Sequence, residues 1–425
     1  MKLGSNAKSL KRRLAEAEEN LRLIQERKSE YVQAADVPLQ LIKDERRLVQ
    51  EIEALQTQLE QLPLAPARPR ARTIAAGIAG LALVLAVGAA ALGVLLPQGP
   101  TTAEPSSSTA LSLEQVGDPL YPGCNVRAIT QTPNGMLAAL DSCKEAGVKR
   151  VGGSGPGADP GNPDGLLTSP LAVVEQTDGR LLAGAVGSGL VELESDGTVT
   201  RVHTQTADGS QITVVGAVTS DGVGGVWVGS NWEPGLHLLD AQGEWHTLPW
   251  ENEKFAVNDI ELDETGQVWV ATVGGGVRCL DSATRTWTAV YNQRTCPGCL
   301  PSDAAFDIIV AEGRKWVGTD NGLAVLDDRG EQPVWQVVEN LPYSGVVALA
   351  KDDKGHVFVG LEEGLDIDKG GLAIVDEKLK VIKALTLDYS ISALAFDPQQ
   401  SQLWVGTLGR GLSVWSVRDQ EGPMK

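Results

Sequence analysis

The sequence predicts a mainly β protein whose principal domain is a seven-bladed β-propeller, with six or eight blades as the alternative counts. Three observations carry this. A large apolar residue recurs in one slot at Leu137, Leu182, Trp227, Trp269, Trp316, Phe358 and Trp404, at steps of 45, 45, 42, 47, 42 and 46 residues. A period near that size in strand-like units marks a propeller. The text around the slot repeats as well: VWVGS…GLHLLD, VWVATVGGGVRCLD, KWVGTDNGLAVLD and LWVGTLGRGLSVW are variants of one phrase. Finally, Trp245, Trp287 and Trp335 follow the main aromatic by 18, 18 and 19 residues, which predicts an outer strand packed between blades.

One unit shows the physics. AVNDIELD from Ala256 alternates apolar and polar residues, as a half-buried strand does. Glu264, Thr265 and Gly266 supply a turn, and QVWVAT is a second strand rich in β-branched and aromatic residues. Gly274 to Gly276 permit a tight turn before a third strand, VRCLD, and TRTWTAV is the fourth. Such a four-stranded sheet is apolar on both faces and unstable alone, so neighbours must stack and the ring must close. The last copy ends after its third strand near Val417. The apolar-alternating run Leu111–Val116 is placed to supply the missing outer strand and remove an open edge.

The repeat grammar resembles that of two-component-regulator propellers, whose copies carry an aromatic-Val-Gly-Thr strand, a Gly-rich turn, then Gly-Leu and an apolar strand ending in Asp. Trp316-Val317-Gly318-Thr319 with Gly322-Leu323 matches best, followed by Trp404-Val405-Gly406-Thr407 with Gly411-Leu412. The resemblance covers Leu111 to Val417 and implies a sensing role. It is weakest around Leu137 and Leu182, where the tryptophan is missing.

Ahead of the propeller the chain changes character. Thr73 to Leu96 contains no charged residue, and 24 residues of helix span about 36 Å, enough for a bilayer core. A buried soluble helix is the competing reading. Arg68, Arg70 and Arg72 precede the stretch and the next basic residue is Arg127, which places the N-terminus in the cytoplasm and the propeller outside. Residues 1–72 carry net charge +3 and the remainder −22, a surface that disfavours nucleic acid and anionic lipid. Ala82, Ala86, Ala90 and Gly93 form a small-residue stripe that suits homo-oligomeric helix association. Residues 63–72 read as a Pro/Arg linker and 97–110 as a Pro/Ser/Thr stalk, leaving 111–420 for the propeller.

Residues 1–62 hold two heptad runs. The first uses Leu10, Leu14, Ala17, Leu21, Ile24, Lys28, Tyr31 and Ala35, and the second Leu41, Glu45, Leu48, Ile52, Leu55, Leu59 and Leu62. Asp36-Val37-Pro38 interrupts them and favours a cytoplasmic helical hairpin, with one long kinked coiled coil as the alternative. The stretch ENLRLIQERKSEYV…VPLQLIKDERRL is similar to helical effector-associated modules of bacterial proteins, which implies recruitment of protein partners.

Catalytic chemistry finds little support. The four histidines, His203, His237, His246 and His356, sit at no metal-ligand spacing, and no HExxH, P-loop or G-x-S-x-G motif is present in a suitable context. The His and Glu paired on one strand that streptogramin-lyase-like propellers would be expected to show are not found. No catalytic residue, metal or cofactor is therefore assigned, and the Asp/Gly turns are read as conformational, not as calcium sites. Cys296-Pro297-Gly298-Cys299 reads as a loop-stapling disulfide, Cys124 and Cys143 as a pair across the first blade, and Cys279 as a buried small hydrophobe.

In propellers the turns between second and third strands share a face with the inter-blade connections. Here that face would collect Asn231, Trp232, Glu233, Trp250, Glu251, Asp320, Asn321, Glu362, Glu363 and Arg410, with Asp366 and Asp368 on a longer turn. Loops on a rigid ring are natural recognition sites. The sequence thus predicts a single-pass membrane receptor or scaffold, not an enzyme, whose propeller binds an extracellular ligand or protein. A structural adhesion protein and a propeller lyase or hydrolase are the alternatives.

Overall fold

The computed structural model describes residues 111–419 apart from 153–158, 232–234, 249, 251–254, 331 and 364–365; the side chains of 366–368 and 419 are also not described. The expected helical hairpin, linker, membrane span and stalk lie outside the described residues. Among those described, no helix is long and apolar enough to cross a membrane.

Seven antiparallel sheets form the blades of one propeller. Blade one holds β2 (Asn125–Thr132), β3 (Gly135–Asp141) and β4 (Gly147–Val151). Blade two is β5 (Pro170–Glu175), β6 (Leu181–Ala185), β7 (Gly189–Leu193) and β8 (Val199–His203). Blade three is β9 (Val215–Ser220), β10 (Val226–Ser230), β11 (Gly235–Leu239) and β12 (Trp245–Leu248). Blade four, with β13 (Val257–Leu262), β14 (Gln267–Thr272), β15 (Gly276–Asp281) and β16 (Thr286–Tyr291), follows the sequence-based strands closely. Blade five is β17 (Ala305–Ala311), β18 (Arg314–Thr319), β19 (Gly322–Asp327) and β20 (Val334–Val337); blade six is β21 (Gly345–Lys351), β22 (Val357–Glu363), β23 (Asp366–Val375) and β24 (Val381–Leu387).

Blade seven, with β25 (Ile391–Asp397), β26 (Gln402–Thr407) and β27 (Leu412–Asp419), takes its fourth strand from β1 (Leu111–Gln115). Leu111 pairs with Asp419 and Gln115 with Trp415, so the ring closes as expected. Blade one, the least repeat-like copy, has three strands, supplemented by an antiparallel bridge between Val148 and Gly161.

The repeated slot is the core. Trp227, Trp269, Trp316, Phe358 and Trp404 are all buried on the second strands. The second tryptophans lie on fourth strands and pack across blade boundaries. Trp245 meets His203 edge-on at 5.3 Å, and Trp335 meets Tyr291 at 5.1 Å. Trp287 stacks on Trp250 at 5.0 Å.

The glycine of the aromatic-Val-Gly-Thr phrase has a steric cause. A Cβ on Gly184, Gly229, Gly360 or Gly406 would lie 2.5, 2.3, 2.8 or 2.6 Å from Val215, Val257, Ile391 or Val126, each on the first strand of the next blade. On Gly318 it would meet the Val346 carbonyl oxygen at 2.7 Å. The two blades with alanine at this position, Ala139 and Ala271, precede blades whose corresponding residues are Pro170 and Ala305. The phrase's threonine ends the strand: Thr272, Thr319 and Thr407 each donate through Oγ1 to the carbonyl of Gly276, Gly322 or Gly411 at 2.8 Å.

Every first strand also carries a one-residue bulge. Arg127, Leu171, Gly216, Asn258, Phe306, Val347 and Ser392 are skipped in pairing with the second strand. Bulges re-aim side chains and increase local twist. Gly229→Ala is expected to destabilise the fold by about 1–3 kcal/mol through overpacking. Adding Val257→Ala should recover part of that loss. Urea unfolding of the three variants checks this, and a neutral Gly229→Ala would refute the steric reading.

Candidate ligand-binding face and central channel

Antiparallel order puts the 2–3 turns and the blade connections at one end of the ring, and backbone hydrogen bonds lock them together. Gly187 N–H donates to Thr213 O at 2.7 Å and Asn231 N–H to Val214 O at 2.9 Å. The N–H groups of Gly274 and Gly276 both donate to Asp303 O at 2.9 Å, and Gly411 N–H to Cys124 O at 3.1 Å. The sulfurs of Cys124 and Cys143 lie 2.04 Å apart between the first connection and the β3–β4 turn, and Cys296 and Cys299 face each other in a local loop of the connection after β16. Cys279 is free and buried, and burial pushes its thiol up to about 11.

The residues expected to bind ligand share this face but not one cluster. Asn231 is half-buried, and its Oδ1, buried, has no partner among the described residues. Asp320 is exposed and donates its N–H to Ala304 O at 3.2 Å; Asn321 is exposed and reaches Pro301 O through Nδ2 at 3.5 Å. Glu362 is half-buried, and Glu363 pairs with Lys369 at 3.1 Å. Arg410 pairs with Asp388 at 3.2 Å and lies 5.0 Å over the Tyr389 ring. Trp250 is not presented to solvent: only 8% exposed, it is held between Trp287 and the Arg278 guanidinium, 4.7 Å over its ring. Trp232, Glu233 and Glu251 lie outside the described residues.

The histidines occupy structural settings. His203 Nε2 lies 2.5 Å from Glu192 Oε1, and Trp245 Nε1–H donates to His203 Nδ1 at 3.3 Å. The His203 bond is the chief cause holding the Glu192 carboxyl below its usual range. His246 pairs with Asp240 and His356 with Asp352, both at 2.7 Å. His237 is buried, and desolvation lowers it to about 4. Asp240, Glu244 and His246 bring three donor atoms within 4.8 Å on the β11–β12 hairpin, a set that could hold a metal ion.

Sequence reasoning did not reach the lining of the central channel, a cavity of about 280 Å³. All seven bulged residues line it. The residue after the bulge is alanine in five blades, at Ala128, Ala172, Ala217, Ala348 and Ala393, but aspartate in two neighbours, Asp259 and Asp307. Aligning the first strands on this column would have found the exception.

Both carboxylates reach across blade boundaries. Ile308 N–H donates to Asp259 Oδ2 at 3.0 Å and Leu349 N–H to Asp307 Oδ2 at 2.6 Å. The side chains face the cavity, yet distance from bulk solvent dominates their titration. Burial raises both, and the neighbouring Asp259 pushes Asp307 well above the carboxylate range. Their mutual hydrogen bond favours the protonated form of Asp307 and the charged form of Asp259. Glu261, further along β13, is pushed up to about 7 by burial and then by Asp259, with Lys351 opposing.

Because Glu261 titrates near 7 when folded and near 4.5 when unfolded, folding favours its protonated form. That contribution is complete below pH 4.5 and is lost as pH rises through 7. Glu261→Gln should therefore raise unfolding free energy relative to the parent at pH 8 by up to about 3 kcal/mol, at ~1.4 kcal/mol per unit of displacement. The gain should vanish near pH 4; a pH-independent difference in urea denaturation would contradict it.

No protein-family model matches the chain, and no curated protein matches it significantly. Solved structures do. The extracellular domain described as part of a hybrid two component system from B. thetaiotaomicron is 17% identical with a TM-score of 0.55, the match covering 72% of this chain and 41% of that longer one. A catalytically inactive virginiamycin B lyase from Staphylococcus aureus with quinupristin is 9% identical (TM-score 0.54), over 72% of this chain and 99% of the lyase. The WD40 β-propeller domain of Doa1 is 12% identical (TM-score 0.55), covering 73% of this chain and 97% of its own. At these identities the shared property is the fold: residues 111–419 are a seven-bladed β-propeller.

Proposed function

We propose that the chain is a single-pass membrane receptor or scaffold whose extracytoplasmic propeller binds a ligand or protein and whose cytoplasmic helices associate or recruit partners. The observation that carries the reading is the hydrogen-bonded face of turns and connections on a closed ring. It is a pre-organised display surface in the same fold as an extracellular domain of a two-component sensor. The uncharged stretch Thr73–Leu96, flanked by Arg68, Arg70 and Arg72, supplies the anchor and the orientation. The proposed Cys124–Cys143 and Cys296–Cys299 disulfides would suit an oxidising compartment. The signal would pass through altered helix association, since residues 1–62 carry heptad seams and no enzymatic motif.

Binding rather than turnover is the favoured role, because His203, His246 and His356 are each committed to a carboxylate of their own blade. On the display face, Asn231, Asp320, Asn321, Glu362, Glu363 and the Arg410–Tyr389 pair are the proposed contacts. Trp232, Glu233 and Glu251 remain proposed contacts from the sequence.

Protease added outside intact cells should degrade a C-terminal tag and spare an N-terminal one; the reverse pattern would overturn the topology. Leu21→Asp and Ile52→Asp, each placing a charge in one seam, should abolish self-association or partner recruitment in a bacterial two-hybrid assay. Unchanged signals from both variants would remove the basis for helix-mediated signalling.

A further inference from the structure

We infer that the β11–β12 hairpin of blade three is a binding site for a first-row divalent metal ion, with Zn²⁺ the best match, held by Asp240, Glu244 and His246. The inference goes beyond the receptor reading, because this hairpin lies at the end of the ring opposite the 2–3 turns.

The turn itself needs only the aspartate. Asp240 Oδ1 accepts the N–H groups of Gln242 and Glu244 at 3.0 and 2.9 Å, which closes the hairpin. Blade six builds the same turn: Asp376 Oδ1 accepts the N–H groups of Lys378 and Lys380, both at 2.9 Å. The residues four and six positions after that aspartate are Lys380 and Ile382, whereas in blade three they are Glu244 and His246. The fold therefore does not dictate a carboxylate and an imidazole at these places.

Three donors converge there. His246 Nε2 lies 2.7 Å from Asp240 Oδ2, and an oxygen of Glu244 completes a set whose atoms all lie within 4.8 Å of one another. The backbone bonds to Oδ1 fix the Asp240 carboxylate and leave Oδ2 toward the imidazole. Such outer-shell bonds orient metal ligands. The side chains of His246 and Asp240 are 29% and 16% exposed, and Glu244 is exposed, so an ion has a way in.

Zn²⁺ takes imidazole nitrogen and carboxylate oxygen at about 2.0–2.1 Å, which sets tetrahedral ligands about 3.3 Å apart. Asp240 and His246 would part by only about 0.6 Å to reach that spacing, the ion replacing the proton between them. Two carboxylates balance its charge, and water fills the fourth position. An imidazole ligand disfavours Ca²⁺ and Mg²⁺, which prefer oxygen alone. The net charge of −22 beyond residue 72 raises the local concentration of cations.

The test titrates the full chain in detergent with ZnCl₂ by calorimetry, beside the double variant Glu244→Lys with His246→Ile. That variant carries the residues blade six uses on the same turn, so its thermal unfolding without metal should match the parent. The expected result is one more equivalent of Zn²⁺ bound by the parent than by the double variant. Loss of an outer-shell partner alone costs a metal site about 10- to 100-fold. Glu244→Gln, which alters only an exposed side chain, should therefore weaken the same binding step by at least about tenfold. Equal Zn²⁺ uptake by parent and double variant would overturn the site, as would unchanged affinity in Glu244→Gln, which decides alone if the double variant does not fold. Tighter binding of Ca²⁺ than of Zn²⁺ at this step would overturn the choice of metal.

Discussion

The close approach of each blade's second strand to the first strand of the next blade is the contact on which the architecture depends. It leaves no room for a Cβ at Gly184, Gly229, Gly360 or Gly406, where the neighbour is valine or isoleucine. Where the second strand keeps alanine, at Ala139 and Ala271, the facing position is held by Pro170 or Ala305, which lack the β-branched side chain. The two columns are therefore coupled, and a substitution in one is read by the other through packing that tolerates little overfilling. The flanking aromatic fills the wider gap beside this contact, which is why Trp227, Trp316 and Phe358 are almost completely buried.

The same constraint shapes the channel. A one-residue bulge at the entry of every first strand turns the skipped residue toward the centre, so Arg127, Asn258, Phe306 and Ser392 line the cavity instead of the blade interface. The innermost strand has an unpaired edge, and side chains satisfy part of it across blades. Ser392 donates to Val126 O at 2.6 Å, Thr130 to Val173 O at 2.7 Å and Asn258 to Ala305 O at 2.9 Å. Asp259 and Asp307 do the reverse, accepting from backbone N–H groups. The inner wall is thus a circumferential set of polar links laid over a hydrophobic stack. Its two carboxyls stand where five other blades place alanine, and this marks blades four and five as different from the rest.

How much of this the sequence discloses depends on whether a feature repeats. The aromatic-Val-Gly-Thr phrase states its own strand, its turn and its place in the ring. The closing role of Leu111–Gln115 follows from a missing fourth strand. Trp250 is instructive in the other direction. Local sequence puts it on a connection, and a connection suggests display. Its burial depends on Trp287 and Arg278, which are distant in sequence and meet it only after blades three and four have stacked. The bulge is hidden for a related reason: one extra residue breaks the period-two alternation by which a strand is recognised, so the column of Ala128, Ala172, Ala217, Ala348 and Ala393 emerges only when the first strands are aligned with one another.

Variation is cheapest where the coupled columns do not reach. The strands must keep their length and register to hold the glycine contact, but the hairpins on the far end make no comparable demand. Between the first and second strands they run from two residues in blades one and five to five in blades two, three and six. Hairpin length alone does not decide how a core tryptophan is satisfied: Trp269 donates to Asp263 six residues ahead, whereas Trp227, with Asp221 at the same spacing, finds no partner for its indole nitrogen among the described residues. Both rings are nonetheless buried, because the blades on either side hold them.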